Sequence, residues 1–135
     1  MLKLIIGVKG TGKTKTLISM VNDAVEKSAG TVVCIEKGVG LRFDVKYTAR
    51  LINTNDYLVF DAEALYGFVA GILASNHDVT DLFIDSALKI ANNDVAAFES
   101  FLKEVDELAN RLEVNVVITS SIPVEEASDT VKKYI

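Results

Sequence analysis

Gly7-Val8-Lys9-Gly10-Thr11-Gly12-Lys13-Thr14 follows an apolar run, Leu2 to Ile6, and opens an amphipathic stretch. The segment matches G-x-x-x-x-G-K-[ST] at every fixed position, roughly a one-in-200 coincidence at average residue frequencies. Periodicity predicts a strand over Leu2–Ile6 and a helix over Lys13–Ser28, where Leu17, Ile18, Val21, Ala24 and Val25 share one face. Between them, Gly7, Gly10 and Gly12 let the backbone curl so that successive N–H groups point inward at an anion. The helix directs its positive end at the same place. In this register Lys13 supplies a full charge to β- and γ-phosphates, and the Thr14 hydroxyl supplies a ligand for Mg²⁺. Thr11 and Lys15 flank them as further candidate contacts. The expected ligands are therefore a nucleoside triphosphate and Mg²⁺.

Outward from this segment, short apolar runs alternate with amphipathic stretches, the signature of βα units and a mainly parallel sheet. Gly30 marks the end of the first helix, and Thr31–Glu36 is the second strand. Lys37 to Tyr57 has no clear period, apart from a short strand within Thr48–Asn53. Asp61 caps a helix over Ala62–Asn76, in which Gly67 and Gly71 are spaced for close packing on the sheet. Leu82–Asp85 is a short buried strand. Asp94 caps a helix over Val95–Leu112, whose apolar side repeats Val95, Phe98, Leu102, Val105, Leu108 and Leu112. Asn115–Thr119 is the last clear strand, and after Pro123 a short helix holds Val131, Tyr134 and Ile135. The fold class is thus α/β, a three-layer sandwich in which residues 1–135 form one domain.

At 135 residues and 50% hydrophobic content the chain can bury its own core. A net charge of −5 and the lack of any basic run give no nucleic-acid motif. The longest apolar run, Ala64–Ala74, is short of a membrane span and no signal peptide is visible, so the expected location is cytoplasmic. Cys34, the only cysteine, sits in an apolar strand and is expected in the core. His77, the only histidine, is expected on the surface.

Asp85 ends the strand Asp81-Leu82-Phe83-Ile84-Asp85, at the carboxyl edge of a parallel sheet where the phosphates also lie. It is the candidate second Mg²⁺ holder beside Thr14; Asp81 falls at the opposite edge. Together the two motifs resemble the P-loop NTPase superfamily, and Phe83-Ile84-Asp85-Ser86-Ala87 is similar to the second nucleotide motif of its RecA-like ATPases. The chain also resembles a group of small bacterial ATP-binding proteins. The resemblance implies a parallel sheet in which the strand ending at Thr119 lies between the first strand and the Asp85 strand. It also implies a γ-phosphate contact from Thr119 or Ser120.

Departures from that pattern bear on activity. Ser86 stands where many related ATPases place a glutamate that orients water. Glu36, at the end of the second strand, is then the candidate base, with Lys13 as the catalytic cation. A strand beyond the first is missing unless Val131–Ile135 supplies it, so that edge is open or covered by a partner. No N-K-x-D guanine motif occurs, which favours ATP. Arg42, Arg50 and Arg111 are scattered, which disfavours a kinase lid. Two functions stay open: an ATPase, and a nucleotide-dependent switch or interaction module that self-associates or meets a protein partner.

Overall fold

The computed structural model describes all 135 residues, and its short apolar runs form five strands. These are β1 (Leu2–Ile6), β2 (Thr31–Glu36), β3 (Arg50–Asn53), β4 (Val79–Ile84) and β5 (Asn115–Ser120). Every neighbouring pair is parallel, in the order β1-β5-β4-β2-β3. The strand carrying Thr119 therefore lies between the first strand and the strand leading to Asp85, as the resemblance implied. Helices α1 (Lys13–Lys27), α2 (Ala62–Ser75), α3 (Ala87–Ile90), α4 (Val95–Leu112) and α5 (Asp129–Lys132) make or follow the crossovers.

Alternation along the strands divides their side chains between two cores. Leu4, Val33, Ile35, Leu82, Ile84, Val116 and Ile118 pack with Leu65 and Val69 of α2 and Phe98, Leu102 and Val105 of α4. Val32, Cys34, Phe83 and Val117 turn the other way, toward Leu17 and Val21 of α1. The result is three layers, with the sheet covered on both faces. Asp61 and Asp94 start α2 and α4 by accepting the N–H groups of Ala64 (2.8 Å) and Ala97 (3.1 Å), each satisfying one orphan donor. Burial pushes the Cys34 thiol up to about 12, helped by Glu36 and Asp85, so it is an inert core residue.

One α helix does not cover the whole α1 face, and the segment 37–49 completes it. Leu41, Val45 and Ala49 are buried there beside α1, although the segment forms only turns. Asn22 of α1 fastens it at two points, donating to the Asp44 carbonyl (2.9 Å) and accepting from the Lys46 N–H (2.9 Å). Lys46 also pairs with Glu26. Side-chain anchors of this kind leave no periodic trace in sequence, which is why residues 37–49 resist pattern analysis.

Several expectations are corrected. Strand β4 begins at Val79 rather than Leu82, because Val79 and Asp81 already pair with Thr31 and Val32 of β2, while the polar side chains of Thr80 and Asp81 bond one another (2.8 Å) at the amino end of the sheet. Helix α1 ends at Lys27 with an extended Ser28, so Gly30 is not its cap. Gly30 is required instead by close approach: a Cβ there would lie 2.1 Å from the Asp78 carbonyl oxygen. Gly67 and Gly71 are exposed, and a Cβ on either would meet nothing within 4 Å. The buried face of α2 is Ala62, Leu65, Val69 and Leu73, so the expected tight glycine packing is absent.

The carboxyl-terminal segment forms α5, not a sixth strand. It nevertheless meets the outer edge of β1, where the Leu4 N–H donates to the Tyr134 carbonyl at 2.7 Å. Val131 and Tyr134 are buried against the larger core. The chain itself thus blunts the edge that the sequence left open. Removing residues 128–135 should lower unfolding stability by about 3 kcal/mol or more, the loss of two buried apolar side chains. It should also promote concentration-dependent association through β1. An unchanged denaturation midpoint and an unchanged sedimentation profile would show that the tail does neither.

Candidate functional site

The segment Gly7–Thr14 connects the carboxyl end of β1 to the first turn of α1 and is tied at its root. The Gly7 N–H donates to the Ile122 carbonyl just after β5 (2.9 Å). Gly7 has φ 147°, and a Cβ there would lie 2.7 Å from the Thr11 hydroxyl oxygen, so this position is closed to other residues. That hydroxyl in turn donates to the Val8 carbonyl at 2.8 Å, and the Lys13 ammonium donates to the same carbonyl at 2.9 Å. The lysine is therefore folded back across the loop rather than extended into solvent.

Helix α1 starts without the usual side-chain partner. Its N-cap is Gly12, in the left-handed conformation, with no capping side chain and no acidic residue in the first turn. The first N–H groups of a helix have no acceptor within it, so here they are left facing the loop's concavity, at the positive end of a 15-residue helix. That arrangement takes an anion without further machinery.

Loop and helix form one wall of a cleft of about 690 Å³, lined by Lys9, Gly10, Gly12, Lys13, Thr14 and Lys15. The opposite wall comes from the segment after β4 and the turn after β5: Ser86, Leu88, Lys89, Asn93 and Ser121. Four lysines line the cleft and no carboxylate does, in a chain whose net charge is −5. Lys89, Asn93 and Ser121 were missed from sequence, since nothing in their spacing marks them. Gly7 and Thr11 shape the loop but do not line the cleft.

Asp85 follows β4 at its carboxyl end and is 9% exposed. Its main-chain N–H is held by the Ile35 carbonyl (2.9 Å). The Thr14 hydroxyl lies 3.2 Å from both carboxylate oxygens, and the Thr119 hydroxyl donates to one of them at 2.7 Å. A hydroxyl and a carboxylate at this separation are the hard oxygen donors that Mg²⁺ takes, and it completes its shell with phosphate and water. No cluster of three His, Cys, Asp or Glu side chains exists in the chain, so any cation held here relies on such outside oxygens. On donor chemistry the residues fit a phosphate-bound Mg²⁺.

Two sequence candidates stand elsewhere than expected. Thr119 is 1% exposed and does not line the cleft. Besides its bond to Asp85, its oxygen accepts the Ser86 N–H (2.8 Å), so it orients Asp85 and the following turn instead of facing a phosphate. Ser120 is equally buried, accepting the Leu88 N–H at 3.3 Å. Ser121 is the residue of this turn that reaches the cleft. Glu36 is buried and outside the lining as well. Both its oxygens accept the Leu41 N–H, at 3.2 and 3.3 Å. Burial raises its pKa, the Leu41 bond opposes that, and the negative charge of Asp85 adds to the rise.

No family model matches the chain, and no curated protein matches it. Among solved structures it is similar to a KaiC-like protein from the hyperthermophilic archaeon Pyrococcus horikoshii OT3, with a TM-score of 0.72 over 98% of this chain. The two are 16% identical, and the chain spans 66% of that protein's length. At such identity the likeness speaks for architecture alone. The five-stranded parallel sheet between helical layers is a RecA-like α/β fold.

Proposed function

We propose that the chain binds the phosphates of ATP together with Mg²⁺ in the cleft bounded by Gly7–Thr14 and Ser86–Asn93. The carrying observation is the concentration of four lysines, without a carboxylate, around the uncapped start of α1. A polyanion is the ligand such a field selects. Lys13 and the loop N–H groups hold phosphate oxygens, while Thr14 and Asp85 hold the cation. ATP is preferred to GTP because no guanine-reading motif is present. Leu88 is the only apolar residue in the lining, so the base extends beyond the cleft, where a second copy or another protein covers it. No helix is long and apolar enough to cross a membrane, in keeping with a cytoplasmic role.

Slow hydrolysis is the accompanying activity. A water oxygen attacks the γ-phosphorus, the bond to the β-phosphate oxygen breaks, and ADP and inorganic phosphate leave. The water's proton needs an acceptor, and Ser86 is too weak a base to serve. Glu36 is the available carboxylate, and its raised pKa suits it to accept a proton. Its engagement with Leu41 limits that role, and this favours a second function in which bound nucleotide acts mainly as a switch on residues 37–49.

Calorimetric titration with ATP and GTP, with and without Mg²⁺, should give saturable Mg-ATP binding. Lys13→Ala should weaken it by about 100-fold, the scale of two charge-assisted hydrogen bonds. No binding by the wild type would refute the proposal. Glu36→Gln should lower phosphate release by about 100-fold at unchanged Mg-ATP affinity if Glu36 is the base. Unchanged release would assign it to the loop alone. The same variant keeps an acceptor for Leu41 but cannot titrate. A carboxyl whose folded pKa is raised stabilises at low pH and loses that contribution as pH climbs. Glu36→Gln should therefore gain stability relative to wild type as pH climbs above the ordinary glutamate range of about 4, as followed by thermal unfolding.

A further inference from the structure

Lys89 sits on α3, a single helical turn that sequence analysis did not anticipate. The turn's other side chains all go inward: Ala87, Leu88, Ile90 and the following Ala91 are buried, while Lys89 is exposed. Apolar neighbours on every side fix the orientation of the turn, and so fix where the one outward side chain emerges. It emerges into the same cleft that Lys13 lines, from the segment after β4 rather than from the loop after β1.

The turn is held at both ends by bonds that leave little freedom. At its start the Ser86 N–H is held by Thr119 (2.8 Å) and the Leu88 N–H by Ser120 (3.3 Å). At its end the Asn93 N–H returns to the Leu88 carbonyl (2.9 Å). Ser86, Asn92 and Asn93 all take positive φ, 57°, 60° and 58°. Asn adopts this conformation readily, whereas Ser86 is held in it by its bond to Thr119. The Lys89 ammonium has no ion-pair or hydrogen-bond partner within the protein; the two salt bridges of the chain are Lys27–Asp23 and Lys46–Glu26. An unpartnered cation carried on a well-held turn thus lines the cleft together with the loop.

We propose that Lys89 contacts the terminal phosphate of the bound triphosphate from within the same chain, and so sets the preference for ATP over ADP. The proposal rests on the nucleotide site described above and names the residue that reads its outermost group. The loop and the start of α1 enclose the inner phosphates on one wall. The group that extends from them toward the opposite wall is the γ-phosphate, which only the triphosphate has. Lys13 reaches the β-phosphate that ATP and ADP share as well as the γ-phosphate, whereas Lys89 touches only the group that distinguishes them.

The test is a comparison of Mg-ATP and Mg-ADP dissociation constants for wild type, Lys89→Ala, Lys89→Arg and Lys13→Ala, by calorimetry on the intact chain. Because Lys89 is exposed, its variants should unfold at the wild-type temperature, which the same samples check. Lys89→Ala should weaken Mg-ATP about tenfold, the scale of one charge-assisted hydrogen bond, and leave Mg-ADP within about twofold. Lys89→Arg should restore most of the ATP preference, while Lys13→Ala should weaken both nucleotides. Equal weakening of ATP and ADP by Lys89→Ala would reduce Lys89 to a general electrostatic contribution and overturn the proposal, as would no change in either. Loss confined to Lys13→Ala would overturn the role of Lys89 while sustaining the site. Absence of wild-type binding to both nucleotides would overturn both.

Discussion

Parallel pairing of β5 between β1 and β4 is the constraint on which the site depends. It brings the carboxyl ends of three strands side by side, so that the loop after β1, Asp85 after β4 and Thr119 on β5 meet at one edge. The 2.7 Å bond from Thr119 to Asp85 spans neighbouring strands. The two 3.2 Å approaches of Thr14 then join this pair to the start of α1. Shifting β5 by one residue would turn Thr119 to the other face of the sheet. It would then leave Asp85 a buried carboxylate without that donor, which is costly. The apolar alternation that fills the two cores therefore also sets the register of the polar edge, so packing and site are specified together.

The electrostatics follow from the same edge. An acidic chain with net charge −5 keeps its carboxylates off the cleft lining and gathers four lysines there. Three of these lie within the loop and the first turn of α1, and the fourth arrives from α3 after β4. Like charges held this close repel one another, and in the free protein that repulsion is moderated by water and salt. A bound polyphosphate converts it to attraction. The one carboxylate nearby, Asp85, is set behind Thr14 and is held by two hydroxyls, which is the arrangement a cation between protein and phosphate requires. Burial, hydrogen bonding and charge thus separate a lysine-lined wall from a carboxylate held by two hydroxyls, the separation that the proposed Mg-ATP binding needs.

The place of β5 between β1 and β4 came from the family resemblance, whereas the loop and the ends of α4 were legible because they rest on local rules: glycine spacing, period-2 and period-3.6 patterns, and Asp caps. Asp85 was legible for the same reason, since a polar residue ending an apolar strand stands out. What escaped was set by tertiary contact. Thr119 was expected as a phosphate contact because the family resemblance implied it, but its position also places Ser86 within reach, and two internal bonds occupy its hydroxyl. Lys89 escaped because a single turn of four residues is too short to show a period. Its importance comes from where the cleft lies. Gly67 and Gly71 misled in the opposite sense, since spacing alone does not say which face of a helix meets the sheet. Residues 37–49 were opaque because Asn22, on a different element, holds them.

That segment bears on what nucleotide binding achieves. Glu36 ends β2 next to β4, and burial raises its pKa, with the negative charge of Asp85 adding to the rise. At the same time its oxygens hold the Leu41 N–H, and Leu41 is the first buried anchor of residues 37–49. A cation at Asp85 would relieve the mutual repulsion of the two carboxylates. That relief favours ionised Glu36, and an ionised carboxylate is the stronger acceptor for the Leu41 N–H. Under the proposed function, occupation of the site and order in the 37–49 segment would therefore be coupled through one residue, in the same direction. A base free to take a proton from water would have to release Leu41, and the coupling would be lost at the moment of hydrolysis. The two proposed uses of Glu36 compete, and retaining the bond to Leu41 would favour control of the adjoining surface over turnover.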